Sequence, residues 1–246
     1  MPSNPPDHLA VIPARWGSTR FPGKPLALLD GHPLFWHVHQ RCLQAKLLVG
    51  AIVATDDQRI AKACEEYDIP YLLTGIHATG TDRVAEAAQQ ITAAGYINVQ
   101  GDEPFIDPEA IDAVSYALAR NPLRTDAVNA CTPIDRPEDA ENPNIVKAVV
   151  DDHDDALMFS RLPIPSSRGP HPGYLRQLGL YGMTDTAIRT FAELPQGPLE
   201  LAESVEMLRL VEHGRSVRML RTRDSGPAVD TPADLDHAHR FLAQYT

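Results

Sequence analysis

Cysteine is scarce in this chain of 246 residues: Cys42, Cys64 and Cys131 are the only three, and no C-x-x-C spacing occurs. An odd, scattered set excludes a disulfide framework and a thiolate zinc site, and it fits a reducing, cytoplasmic setting. Cys42 and Cys64 fall inside helical apolar patterns, where cysteine serves as buried filler. Long apolar runs are also missing. The longest, Leu47 to Ala54, has eight residues, against the ~20 that a membrane-spanning helix needs. Met1 to His8 carries neither the basic nor the apolar segment of a secretory leader. Positive charge is in deficit, since 22 Lys and Arg face 33 Asp and Glu for a formal net charge of −11. Such a chain lacks the footprint of a nucleic-acid or membrane-surface binder. Any anionic ligand must therefore meet a local knot of positive charge. Lysine itself is rare: Lys24, Lys46, Lys62 and Lys147, the rest of the 22 basic residues being arginine.

What is present is an ordinary globular composition, 43% hydrophobic and 22% charged. The first half alternates strand and helix. Leu9 to Pro13 reads as a short strand that runs into a loop, Ala14 to Lys24. Leu34 to Ala45 is helical, with Pro33 at its first position. Leu48 to Ala54 is β-branched, and a helix follows Asp56 and Asp57 to about Tyr67. Tyr71 to Leu73 is a strand, about Thr81 to Ala94 a helix, and Ile97 to Val99 a strand ending in Gln100-Gly101-Asp102-Glu103-Pro104. This alternation predicts an α/β fold with a mostly parallel sheet flanked by helices.

The middle of the chain changes character. Val128 to Pro133, Ile145 to Val150, Ala156 to Phe159 and Tyr174 to Tyr181 read as strands without intervening helices, interrupted by Pro163, Pro165, Pro170 and Pro172. Helices over about Asp185 to Glu193 and Pro198 to His213, a strand Ser216 to Arg221 and a last helix from Pro232 complete the reading. We expect a single domain over 1–246 with a β-rich inserted subregion at about 128–182.

The loop Arg15-Trp16-Gly17-Ser18-Thr19-Arg20-Phe21-Pro22-Gly23-Lys24 follows the first strand, where open α/β sheets bind ligands. Three cations beside two glycines and two hydroxyls suit a polyphosphate, because glycine lets backbone N–H groups approach while Arg and Lys neutralise charge. The alternative is a solvated basic surface loop. Five residues separate Gly17 from Gly23, and Pro25 follows Lys24, so this is not a Walker A loop. No G-x-G-x-x-G is present, which argues against a dinucleotide dehydrogenase, and no G-x-S-x-G elbow for a serine hydrolase. Asp102 and Asp230 both stand at predicted strand ends, with Thr231 as N-cap and Pro232 at the first helical position after the latter. Carboxylates gathered near a triphosphate suit Mg²⁺; each taken alone could be a turn or capping residue. His37 and His39, two apart on a helix, cannot form an i, i+4 ligand pair, and His8, His32, His77 and His213 read as surface or cap residues. Glu200, Glu203 and Glu206 recur every three residues, either as a solvated helix face or as acceptors for sugar hydroxyls.

At these residues the chain resembles the 3-deoxy-manno-octulosonate (KDO) cytidylyltransferases. The resemblance runs from Val11 through Leu26, then Val53 to Asp56, Thr79-Gly80-Thr81-Asp82-Arg83, Asn98 to Pro104 and Asn142 to Lys147. It continues through Phe159-Ser160-Arg161, Leu178 to Gly182, Pro198-Leu199-Glu200, Glu203, Glu206 to Arg209 and Val229 to Pro232. It implies a nucleotide-diphospho-sugar-transferase-like, Rossmann-like fold and transfer of CMP from CTP to a small acidic acceptor, with pyrophosphate released. By the same resemblance Pro13, Ala14, Arg15, Ser18, Thr19, Arg20, Lys24, Thr79, Gly80, Arg83 and Asp102 would contact CTP. Lys24, Arg15, Asp102 and Asp230 would be catalytic, the two aspartates holding Mg²⁺. Arg83, Gln100, Arg161, Gln177, Tyr181, Glu203 and Glu206 would face the acceptor. The proline-rich arm resembles the family's homodimer contact.

Three departures lie toward the acceptor side. Gln177 stands in Arg176-Gln177-Leu178-Gly179 where the family carries His, Thr79 and Asp82 replace Ser and Glu, and Ser166-Ser167 follows Ile164-Pro165 where an aromatic is usual. KDO is thus the first acceptor expected. A small phosphonate such as phosphonoformate is the alternative, which Arg83, Arg161, Arg168 and Arg176 would suit. An inactive nucleotide-sensing protein would require a lost metal ligand, and a CMP-sialate-type synthetase matches the Val99 to Pro104 and Val229 to Pro232 stretches less closely.

Overall fold

All seven residues of β1 (His8–Ala14) are buried, as a strand covered on both faces requires. Its side chains alternate: Leu9 and Val11 join one apolar cluster, Ala10, Ile12 and Ala14 the other. The computed structural model describes residues 6–17, 20–120, 125–166, 168–224 and 226–244. A small hairpin, β2 (Leu28–Leu29) and β3 (His32–Pro33), leads into α1 (Leu34–Gln44). Strand β4 (Gly50–Thr55), helix α2 (Gln58–Glu66), strand β5 (Tyr71–Leu73), helix α3 (Gly80–Gln90) and strand β6 (Gly95–Val99) follow. Strands β6, β1, β4 and β5 pair in parallel in that order, as the strand–helix alternation predicts.

Helix α4 (Pro108–Arg120) lies in a stretch to which the periodicity reading assigns nothing, yet it buries Ile111, Val114 and Leu118 at helical spacing. Beyond it come β7 (Ala127–Ile134), α5 (Pro137–Glu141), β8 (Lys147–Val150), β9 (Ala156–Ser160) and β10 (Tyr174–Thr184). The strands of this region are therefore not free of helix, since the five residues of α5 separate β7 from β8. Strand β10 runs antiparallel to β6, β7 and β8, and β9 pairs with β8, so β7 and β10 are members of the main sheet. The chain closes with α6 (Asp185–Glu193), α7 (Pro198–Glu203), α8 (Leu208–Glu212), β11 (Val217–Arg221) parallel to β7, and α9 (Pro232–Leu242). No helix of the described residues is long and apolar enough to cross a membrane.

Two expectations are corrected here. The single helix over Pro198 to His213 is two short ones, because Ser204 takes a left-handed conformation (φ 51) and ends α7. His8 is neither a surface nor a cap residue: it is buried in β1, with Nδ1 2.9 Å from Ser115 Oγ.

Cys42, Cys64 and Cys131 are all buried and free. Burial pushes the Cys42 and Cys64 thiols up to about 12 and Cys131 up to about 11, so the reactive thiolate is suppressed at neutral pH. Ellman's reagent is expected to titrate no thiol in the native protein at pH 8 and three after denaturation. Rapid reaction of any one in the native state would contradict this packing.

Candidate active site

The parallel strands β1, β4 and β6 finish at one edge of the sheet, so the loops that follow them face a common space. That space is a cavity of about 620 Å³. Lys24 enters it from a 3-10 turn, Lys24–Leu26, which begins where Gly23 turns left-handed at φ 73. A Cβ on Gly23 would stand 2.9 Å from the Trp16 ring, so both the conformation and the contact require glycine. Trp16 is held from outside by Arg59, whose guanidinium stacks 3.4 Å from the ring centroid.

Lys24 is the hub. Its Nζ donates to Asp102 Oδ2 at 2.7 Å and to Asp230 Oδ1 at 2.9 Å, and Arg20 Nη2 lies 3.3 Å from the same Asp230 oxygen. Asp102 follows β6; Asp230 precedes α9, and the backbone N–H of Val229 donates to the Asp102 carbonyl at 2.9 Å, pinning the two segments together. The predicted cap is present as a capping box between Thr231 and Asp234. Burial opposes charge on Lys24, but attraction by Asp102 and Asp230 and the hydrogen bonds it donates to them outweigh it and hold the ammonium above its ordinary range. Burial would likewise raise Asp230; Lys24, then Arg20, reverse that and keep the carboxyl below the usual range.

On the neighbouring wall, Thr79 caps α3 by accepting from the Asp82 N–H. Gly80, the first residue of α3, is packed so closely that a Cβ would stand 2.9 Å from Gln100 Nε2 and 3.2 Å from Pro13 Cγ. Arg83 points inward from α3, 3.1 Å from Asp56 Oδ1 and donating to the Thr74 hydroxyl and the Gly75 carbonyl. The opposite wall carries Arg161, whose guanidinium donates to the carbonyls of Glu203 (2.7 Å), Pro143 (2.9 Å) and Ser204 (3.3 Å). Three carbonyls fix its direction without neutralising its charge. Gln177 Nε2 donates to Asn129 Oδ1 at 2.7 Å. Burial, then the nearby carboxylates of Glu206, Asp102 and Glu103, raises the Tyr181 phenol well above its ordinary range, so it is neutral.

Of the residues singled out by sequence, Pro13, Ala14, Arg15, Arg20, Lys24, Thr79, Gly80, Arg83, Gln100 and Asp102 line this one cavity. So do Arg161, Gln177, Tyr181, Glu206 and Asp230. Ser18 and Thr19 lie outside the described residues. Glu203 is absent from the lining: its carboxylate accepts from Ser160 Oγ at 2.7 Å and the Arg161 N–H at 2.9 Å. Glu206 is at the wall, with its carboxylate turned to the start of α3. The glutamate stripe is no solvated face, for Glu200 is buried against Arg209. Sequence reasoning missed Asn144, which accepts from Arg20 Nη1 at 2.7 Å and bridges the two walls. It also gave no role to Glu103, whose carboxyl burial pushes up to about 7 while it accepts from the Gly179 N–H at 3.0 Å. Glu103 had a signal, its place beside Asp102, and Asn144 had one in the Asn142 to Lys147 stretch of the resemblance. Among the described residues no group of three or more His, Cys, Asp or Glu is placed to hold a metal by itself. Asp102 and Asp230 nevertheless converge on one cation, the Lys24 ammonium.

A cytidylyltransferase family model matches residues 9–218. The 3-deoxy-manno-octulosonate cytidylyltransferase of Anaeromyxobacter sp. (strain Fw109-5) is 45% identical over 237 residues, which are 95% of this chain and 96% of that protein. The Escherichia coli protein of the same name is 39% identical over 236 residues, 95% of each chain. The solved structure of CMP:2-keto-3-deoxy-manno-octonic acid synthetase complexed with CTP matches with a TM-score of 0.90 at 38% identity, over 97% of this chain and 99% of that one. At 16% identity and a TM-score of 0.66, a 4-diphosphocytidyl-2C-methyl-D-erythritol synthase from Anaerococcus prevotii shares the fold.

Proposed function

The chain belongs to the cytidylyltransferase family, and on that premise we propose that it transfers CMP from CTP to 3-deoxy-manno-octulosonate, releasing pyrophosphate. The observation that carries this reading is the clasp of Lys24 by Asp102, in the loop after β6, and Asp230, in the coil before α9 rather than at the strand end expected for it, facing the fixed cation Arg161 across one cavity. The family resemblance puts CTP on the wall of Pro13, Ala14, Arg15, Arg20, Lys24, Thr79, Gly80 and Arg83. It puts the acceptor by Arg83, Gln100, Arg161, Gln177, Tyr181, Glu203 and Glu206, of which Glu203 does not line the cavity. A hydroxyl oxygen of the acceptor attacks the α-phosphorus in line, the new P–O bond forming as the bond to pyrophosphate breaks and the hydroxyl proton is released. Arg15, Arg20 and Lys24 take up the charge that collects on the departing pyrophosphate. Arg161, its N–H groups already directed by three carbonyls, holds the acceptor carboxylate without having to reorganise.

Two carboxylates that converge on a single cation fit Mg²⁺, which takes one or two protein oxygens and fills its shell with phosphate and water. Asp102 and Asp230 would hold it, and it would neutralise triphosphate charge there. Pyrophosphate is expected to appear only when CTP, Mg²⁺ and KDO are all supplied, and chelation by EDTA is expected to stop it reversibly. A panel of acids that includes phosphonoformate, read by product mass, tests the acceptor. Product from the phosphonate alone would replace KDO, and silence with every acid would remove the reading.

A further inference from the structure

The acceptor side and the nucleotide side of the cavity are joined by one short turn, 203–206. At one end the Glu203 carboxylate takes the Ser160 hydroxyl and the Arg161 N–H, and the carbonyls of Glu203 and Ser204 take the Arg161 guanidinium. At the other end Glu206 Oε1 accepts from the Gly80 N–H at 2.9 Å, and Oε2 accepts from the Thr81 N–H at 2.9 Å and from the Thr81 hydroxyl. Between them Ser204 holds φ 51 and Val205 is buried. Gly80 and Thr81 open α3, whose first N–H groups have no partners within the helix. A carboxylate set across them forms charge-assisted hydrogen bonds and is stabilised by the helix dipole. Asn98 Nδ2 donates to Thr81 Oγ1 at 3.1 Å from behind. Gly80 is wedged on Pro13 and Gln100, so where Glu206 holds the start of α3 also sets that part of the cavity wall.

We propose that the 203–206 turn is a strut that fixes Arg161 relative to the start of α3, and that Glu206 is a positioning residue for the nucleotide side and not a ligand of the acceptor. The proposal rests on the reading of this cavity as a CTP site. It predicts an effect on CTP binding with no acceptor present, which a glutamate that contacts only the acceptor would not produce.

The test compares wild type with Glu206→Gln, and with Glu206→Asp, which keeps the charge but withdraws it by one carbon. CTP binding is measured by calorimetry without acceptor, and backbone hydrogen exchange is read at Gly80 and Thr81. In Glu206→Gln the CTP Kd is expected to rise about tenfold and exchange at the two amides to quicken at least about tenfold, with Glu206→Asp between. Unchanged CTP affinity and unchanged exchange, with a raised KM for the acceptor, would overturn the strut and make Glu206 an acceptor ligand. Failure of the wild type to bind CTP would remove the reading of the site. The exchange at Gly80 and Thr81 then still decides whether Glu206 caps α3, because it needs no nucleotide.

Discussion

Replacing Asp102 or Asp230 by asparagine is expected to lower kcat/KM for pyrophosphate release by about 10³-fold while the fold stays intact. Each carboxylate does two things. It holds the Lys24 ammonium, at 2.7 Å for Asp102 and 2.9 Å for Asp230, and it is one of two oxygen donors proposed for Mg²⁺. An asparagine keeps the shape and one oxygen but removes the charge that both tasks use. The cost to stability is small by comparison, because Lys24 keeps its other carboxylate and both aspartates are about a quarter exposed, at 26% and 23%, so water moderates the loss. Activity and stability should therefore separate. A coupled pyrophosphate assay measures the first and the thermal midpoint the second. Near-normal turnover in either variant would refute the assignment of that aspartate, and collapse of the fold in both would mean that the clasp is structural.

Arg209→Met is expected to do the reverse, costing the fold about 3–5 kcal/mol and shifting the thermal midpoint by on the order of 10 °C. Arg209 Nη1 lies 2.6 Å from Asp82 Oδ1 and Nη2 lies 2.7 Å from Glu200 Oε1, the side chains of Arg209 and Glu200 being 3% and 2% exposed. Its guanidinium also stacks 4.1 Å from the Phe191 ring centroid. Burial opposes its charge, but the hydrogen bonds it donates to Glu200 and Asp82 prevail and raise the guanidinium above its ordinary range. Methionine fills much of the same volume but leaves Glu200 buried and charged with no cation, and that uncompensated charge is what costs stability. Asp82 also accepts from the Thr79 hydroxyl at the start of α3, so a loosened nucleotide wall should accompany the lower midpoint. Calorimetric unfolding measures the effect, and a midpoint within about 2 °C of wild type would show that the triad contributes little.

The two variants bear on what the sequence can disclose. Strand–helix alternation, the cationic loop from Arg15 to Lys24, Asp102 after β6 and the Thr231 cap were all legible, because each is a local pattern of period, charge or capping, whereas the strand expected to end at Asp230 is coil. Helix α4 carries as clear a period, with Ile111, Val114 and Leu118 buried, and went unread between Pro104 and Val128. The helix expected over Pro198 to His213 was misread for a physical reason. Its glutamates have helical spacing, but Glu200, Glu203 and Glu206 are drawn to three different partners, Arg209, Arg161 and the start of α3, and the chain breaks at Ser204 to let them reach.

By itself the sequence determined the α/β class, the edge of the sheet at which chemistry gathers and the residue types present there, since burial period and turn residues act over a few positions. Only the tertiary structure decided who meets whom. Lys24 finds Asp102 and Asp230 across 78 and 206 positions, and Glu206 reaches Gly80 across 126. Those pairings follow from how the parallel strands align their ends and where the helices pack against them, which no local pattern records.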